Sequence, residues 1–380
     1  MLTSKERINL AMNLQKPDRV PLMCQFSIGS MFRQLKPNPV EFWYDKDIFA
    51  GGLITLCEKF RFDGILISLH GHPDKWNDDI LKSEQMDNGN IRLTYEDRTE
   101  LHSLDDLPFV KFKNNKPVPD INEIDIDKDI PEVIDYIPVS NNLHFKLDRY
   151  HLFDIFDLIY KKTGEKYSLH GEVTSPFDYY LDLLGYENGL ISLIMAPEKS
   201  KAILDKFADG ITDIATRMCD KQIDAIKLSS PFTGMGFISK DHYREFVLPY
   251  EKRIITAIRE NGKHAYTHTC GSIGDRLELM SESNTSGLEC LDPPPIGNVD
   301  LEDAFRRIGG RLFIKGNIDS VNSLLYAGDQ KARNDVKKII ETGMTKGKGF
   351  ILSTACSIAP NVTTERLMML SELVDIYGKY

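Results

Sequence analysis

Short apolar runs alternate along this chain with longer segments whose apolar residues recur every three to four positions, the pattern of a parallel βαβ succession. Eight runs stand out: VPLMCQF (20–26), DGILIS (63–68), SLHGEV (168–173), AIKLS (225–229), HAYTHTC (264–270), GLECLD (287–292), LFIKGNI (312–318) and FILSTAC (350–356). Between them lie helical patterns. The stretch 243–260 is one, with Phe246, Leu248, Ile254, Ile255 and Ile258 on a single stripe and Gly262 where a C-cap is expected. Eight strand and helix pairs are the number that a closed barrel requires, and closure accounts for the lack of a charged, protected edge strand. The expected fold is therefore α/β, a (β/α)8 TIM barrel, formed as one domain over residues 1–380.

Residues 77–140 break the alternation. Asn88-Gly89 stands between two alternating segments in LKSEQMDNGNIRLTY and predicts a hairpin, after which Asp- and Pro-rich coil runs to about residue 140. The region reads as an insertion after the second strand, hairpin plus loop, and both a place over the barrel mouth and a decorative role are open to it.

Composition narrows the function. With 380 residues, 41% of them hydrophobic and 27% charged, the chain has the makings of a large core and not of a disordered segment. A formal charge of -10 without a dense Lys/Arg cluster excludes nucleic acid as the expected partner. No apolar stretch approaches the length of a membrane span, and the N-terminal MLTSKERINLAMNLQKPDRV reads as an amphipathic helix ending in a Pro-Asp turn, without a signal-peptide core, so a cytoplasmic protein is expected. Its six dispersed cysteines suit metal binding better than a disulfide framework. Asp125, Asp127 and Asp129 imitate the start of a calcium loop, but Ile130 replaces the required glycine and Tyr136 the bidentate glutamate. No GxGxxG or Walker sequence suggests a nucleotide.

The residues that carry chemistry sit at strand ends. His268 and Cys270 are two apart, so strand alternation points both to one face, at the end of a barrel where active sites are built. Cys356 ends the last run in the equivalent place. One imidazole and two thiolates suit zinc, with the fourth position left open for substrate or water. Two alternatives remain at this point: a closed site completed by Cys290, and buried cysteines that bind nothing. Glu172, at the end of SLHGEV, is the carboxylate placed to protonate a leaving oxygen or to act as a displaceable zinc ligand. Its neighbour His170 reads as a core histidine. His70 and His72 share a face after the second strand and suit pocket lining or hydrogen bonding, and Asp319 suits a polar contact in the pocket or a turn. Phe26, Phe177 and Tyr179, with Tyr180, Phe232, Met235 and Phe237, could form an apolar rim for a substrate, or ordinary core.

The segments KERINLAMNLQKPDRVPL, HGEVTSPFDYYLDLLG, HTCGSIGDRL, LECLDPPPIGNVDLEDAFRRIGGRLFIKGNID and ILSTACSIAP together resemble the uroporphyrinogen decarboxylase superfamily, and within it the branch of cobamide-dependent methyltransferases. The resemblance spans nearly the whole chain and implies a TIM barrel with zinc on His268, Cys270 and Cys356. It implies methyl transfer with a corrinoid supplied by a partner protein. The Arg-rich N-terminal segment of true decarboxylases is missing, for MCQFSIGSMFRQLK offers Arg33 alone, which disfavours a porphyrin substrate. The expected activity runs from a small methylated compound, such as a methoxylated aromatic, to the cobalt of the corrinoid protein. The alternatives are the reverse half-reaction from methylcorrinoid to a thiol, and decarboxylation of another carboxylate. A homodimer is compatible with the sequence.

Overall fold

The computed structural model describes residues 2–114, 118–140 and 142–380. Its strands, in chain order, begin with β1 (Gly64–Ile67). An antiparallel group follows, β2 (Lys82–Gln85), β3 (Ile91–Thr94), β4 (Arg98–His102) and β5 (Phe109–Phe112), and then the hairpin β6 (Tyr136–Ser140) and β7 (Leu143–Lys146). The remainder are β8 (Ser168–Thr174), β9 (Ala225–Ser229), β10 (His264–Thr269), β11 (Gly287–Cys290), β12 (Phe313–Ile318) and β13 (Phe350–Thr354). β1 and β8 to β13 pair in parallel, in sequence order, as one curled seven-stranded sheet. Each is joined to the next by helical crossovers, which explains why β12 and β13 are buried at every residue.

Seven of the eight expected strands are present, and the first is a correction. Segment 20–26 makes only isolated parallel bridges, Leu22 with Leu352 and Phe26 with Ile358. Pro21 has no N–H to continue a ladder. The segment still touches both edges of the sheet: Met23 N donates to Leu352 O at 3.0 Å, Leu352 N to Pro21 O at 2.8 Å, and Asp63 N to Leu22 O at 2.7 Å. Asp63 also anchors the N-terminal helix Ser4–Met12. Its fully buried carboxylate accepts from Ser4, from Arg7 at 2.7 Å, from Arg19 at 2.9 Å and from the Leu22 amide at 2.9 Å. A buried carboxylate tolerates this position because cations and N–H donors surround it.

The expected helix over 243–260 is two helices, Lys240–Phe246 and Leu248–Glu260, broken at Val247. Pro249 causes the break, since its ring excludes the carbonyl four residues back and disfavours helical backbone just before it. Gly262 follows the second helix with φ 76°.

Between β1 and β8 the Asn88-Gly89 hairpin forms as expected, Lys82 facing Thr94 and Gln85 facing Ile91. The coil expected after it is largely ordered instead, with β4 and β5 completing a four-stranded sheet and β6–β7 adding a second hairpin. β4 was hidden from apolar alternation because it buries Glu100. That carboxylate is satisfied by Arg98 at 2.8 Å, Tyr44 at 2.7 Å and His102 at 3.0 Å. Among the described residues no helix is long and apolar enough to cross a membrane.

Candidate functional site

β10 delivers His268 as its penultimate residue, and Cys270 follows its end. His268 Nε2 lies 3.3 Å from Cys270 Sγ, and Cys270 Sγ lies 3.5 Å from Cys356 Sγ, two residues beyond β13. The three residues expected to converge therefore do so. A tetrahedral ion with bonds of about 2.3 Å separates its ligands by roughly 3.7 Å, so these donors stand close to the edges of such a tetrahedron. The soft donor set and its spacing fit zinc.

Cys290, the last residue of β11, joins the group, with its sulfur within 4.8 Å of the His268 and Cys270 donors. Cys290 and Leu291 have φ of 84° and 55°, a turn that side chains other than glycine rarely adopt and that concentrates at functional sites. The Cys290 thiol donates to Asp292 Oδ2 at 3.2 Å, and the same carboxylate accepts from Gly271 N at 2.7 Å. Burial pushes the Cys290 thiol up, whereas the hydrogen bond with Cys270 and the neighbouring His268 hold Cys356 below the usual cysteine range. The thiolate is the ligating form of sulfur, and Cys356 is the thiol of the cluster biased toward it.

Beneath the sulfurs lies a layer of buried charge set by strand register. Glu172 faces Lys227, and Glu289 faces both His268 and Lys315. His268 Nδ1 is 2.9 Å from Glu289 Oε2, leaving Nε2 toward the sulfurs. Glu289 is ion-paired with Lys315 and lies 3.8 Å from Lys227, which contacts Glu172 at 3.0 Å and donates to Gln25 Oε1 at 2.8 Å. Burial alone would raise the Glu289 carboxyl, but the charges of Lys315 and Lys227 outweigh it and hold the group well below the carboxylate range. Burial likewise opposes the Lys227 charge, and Glu172 and Glu289 overcome it. Lys227, Glu289, Lys315, Asp292 and Gln25 were not singled out from the sequence. The signal for four of them was present: a charge inside each of AIKLS, GLECLD and LFIKGNI, and a second at the end of GLECLD.

The remaining expected residues are dispersed. Glu172, His70 and Tyr179 line one small cavity of about 10 Å3, and Phe26 lines another of about 20 Å3 with Gln25. Phe26 also stacks on Phe62 at 5.6 Å. His70 Nδ1 meets Leu152 O at 3.2 Å, and burial lowers its pKa to about 4. His72 packs between Phe49 and Phe145, and among the described residues its ring nitrogens have no hydrogen-bond partner. His170 is the core histidine expected, held by Ser168 and Tyr266 at 3.1 Å each. Phe177 is buried in the core, and Tyr179 Oη donates to Tyr136 O at 2.6 Å. Asp319 fills the turn role, accepting from Val321 N at 2.9 Å and Asn322 N at 2.7 Å, and also lines a cavity of about 640 Å3 with Asn317 and Asn322.

A curled parallel sheet whose C-terminal strand ends carry an imidazole and thiol cluster defines the class: an α/β protein with a donor set of the kind that holds a soft metal. Residues 110–377, more than half of the chain, match the uroporphyrinogen decarboxylase (URO-D) family, and the chain belongs to that family. Methylcobamide:CoM methyltransferase MtbA of Methanosarcina acetivorans is 23% identical over 258 residues, covering 66% of this chain and 73% of that protein. A uroporphyrinogen decarboxylase of Chlorobaculum parvum is 24% identical over 285 residues, covering 71% and 74%. A solved methyltransferase structure from Methanosarcina mazei superposes with a TM-score of 0.72 over 99% of both chains, at 17% identity, and shares the fold. The resemblance read from the sequence motifs is thereby borne out, and members of the family are enzymes, methyltransferases and decarboxylases among them.

Proposed function

We propose that this protein is a zinc-dependent enzyme that moves a methyl group from a small methylated compound, of the methoxylated aromatic kind, to the cobalt of a corrinoid carried by a separate protein. In this reading residues 1–380 form a single (β/α)8 barrel. Segment 20–26 stands as the eighth stave between β13 and β1, and 77–140 is an insertion over one end. The observation that carries the reading is the convergence of His268, Cys270 and Cys356 at 3.3 and 3.5 Å. Three such ligands leave one position for substrate.

When bound there, zinc supplies Lewis acidity toward a substrate oxygen and so improves the leaving group. Glu289 holds Nδ1 of His268 and fixes the tautomer that turns Nε2 to the metal. Glu172, oriented by Lys227, is the displaceable carboxylate of the site. Of the five side chains expected to meet substrate, His70 and Tyr179 lie beside Glu172 and Phe26 beside Gln25, in cavities that hold no more than a water, Asp319 caps a turn at the edge of a larger cavity, and Phe177 packs in the core. A cytoplasmic setting accompanies the reading because the thiols must stay reduced.

Purified protein should carry one zinc per chain and, given a cobalt(I) corrinoid and a panel of methyl ethers, thiols and methylamines, should alkylate the cobalt from an ether, seen in the cobalt spectrum. No change with any donor refutes the proposal. The reverse direction, from methylated corrinoid to a thiol, is favoured by one observation, the name of the Methanosarcina acetivorans relative. Loss of the methylcobalt spectrum on adding a thiol would establish it instead.

A further inference from the structure

Between β6, the helix that follows β8 and the segment that follows β9 opens a cleft of about 270 Å3 that the reading above leaves unused. One wall is the strand β6, contributing Val139 and Ser140; a second is the helix Pro176–Leu184, contributing Asp178; the third is aromatic, Tyr186 and Phe232. The two rings meet edge to face at 5.0 Å, and Phe237 continues the array at 5.2 Å from Phe232, so the wall presents ring faces of the kind that receive another aromatic ring.

The aromatic wall is tied to the metal-binding strands. Ser230 N donates to His268 O at 2.9 Å, two residues before Phe232. Two residues after it, Gly234 packs so closely that a Cβ there would lie 2.7 Å from Cys270 O. Asp178 enters from the other side, in the first turn of a helix that begins directly after β8. Ser175, its N-cap, hydrogen-bonds one carboxyl oxygen, Oδ2, and among the described residues Oδ1 has no protein hydrogen bond. Charged and titratable neighbours are Glu251 on the helix Leu248–Glu260, His268 on β10, and Asp182 and Tyr186 in the cleft. Burial is the largest influence on Asp178 and pushes its pKa up to about 8. Ser175 and His268 oppose the rise, and Glu251 adds to it.

We propose that this cleft seats the aromatic ring of a methoxyarene, and that Asp178 hands its carboxyl proton to the ether oxygen as the methyl group departs. The proposal rests on the methyl-ether reading above. The O–CH3 bond breaks with its electron pair left on oxygen. The methyl group bonds to a cobalt(I) corrinoid, which is formally oxidised by two electrons, the Asp178 proton goes to the oxygen to give the phenol, and solvent reprotonates Asp178 through the cleft. Proton donation of this kind is worth about 10²–10⁴ in rate.

The zinc-loaded full chain is titrated calorimetrically with 2-methoxyphenol, and turnover is followed by the cobalt spectrum. Phe232→Ala should weaken binding at least tenfold, and an unchanged Kd overturns the seat. Asp178→Asn should bind within threefold of wild type yet turn over at least 100-fold more slowly. The deficit should shrink to under tenfold for a nitro-substituted methoxyarene, whose phenolate leaves without help. Asp178→Glu should restore part of the rate, and Ser175→Ala supplies a second test if Asp178→Asn fails to fold. An equal loss for both leaving groups, or no loss, overturns proton delivery. If wild type binds methoxyarenes at Phe232 but alkylates cobalt from no ether, the methyl-ether reading and proton delivery both fall and the seat stands. If it alkylates from ethers without binding at Phe232, only the seat falls.

Discussion

Glu289→Gln tests whether the buried charges beneath the sulfurs act as one unit. Glu289 is 1% exposed and serves as the shared anion of Lys315, of Lys227 at 3.8 Å and of His268 at 2.9 Å. At an effective dielectric constant of about 20, unit charges this far apart attract by about 4 kcal/mol, and the Lys315 contact is closer. Desolvation of the carboxylate offsets several kcal/mol of that gain, so removing one partner of the set should cost about 3–5 kcal/mol. Glutamine preserves the shape, and Lys227 retains Glu172, but Lys315 is left without an anion among the described residues. His268 also loses the group that orients it, which in metal sites costs about 10–100-fold in affinity. The assays are the denaturant midpoint with zinc chelated and zinc competition against a chromophoric chelator. Unfolding within about 1 kcal/mol of wild type, together with unchanged zinc affinity, refutes the reasoning. The double variant Glu289→Met with Lys315→Met separates the two effects: with both charges gone most stability should return, while zinc affinity should not.

Three further outcomes follow from the same geometry. Cys356→Ala should lower bound zinc at least tenfold by elemental analysis while Cys290→Ala leaves it near one per chain; equal losses would instead indicate a closed four-ligand site. Asp63→Asn removes the anion shared by Arg7 and Arg19 and should destabilise the chain by about 3 kcal/mol or more in a denaturant titration, whereas a change under 1 kcal/mol would show that Asp18 suffices for Arg7. Asp178 has its folded pKa raised to about 8 against an unfolded value of about 3.9, so the folded state holds a proton that the unfolded state has released. Its contribution is complete below about pH 4 and is lost by about 1.4 kcal/mol per unit as pH rises toward 8. Asp178→Asn should therefore show a shallower fall of stability between pH 5 and 8 than wild type, and parallel curves would count against a neutral Asp178.

Much of the sheet was legible because each parallel strand is covered on both faces, so β1 and β8 to β13 appear as apolar runs within a residue or two of their ends. The ligand cluster was legible for a local reason, the i and i+2 spacing of His268 and Cys270 at a strand end, and Cys356 followed from the order of the strands. What stayed hidden needed information that lies between strands. Lys227, Glu289 and Lys315 each sit inside an apolar run, where a charge reads as a blemish, and only the pairing of β9 to β12 shows that each one neutralises another. The same applies to Asp178, which in sequence is one acidic residue of a helical first turn, the commonest place for one. Its meaning comes from what the fold brings against it: a buried Glu251 more than seventy residues away, and a cleft one wall of which is the strand β6, in a region that reads as coil. A carboxylate that would be unremarkable on the surface becomes a proton store because three separate segments close around it, and that is why the substrate side of this site had to wait for the fold while the metal side did not.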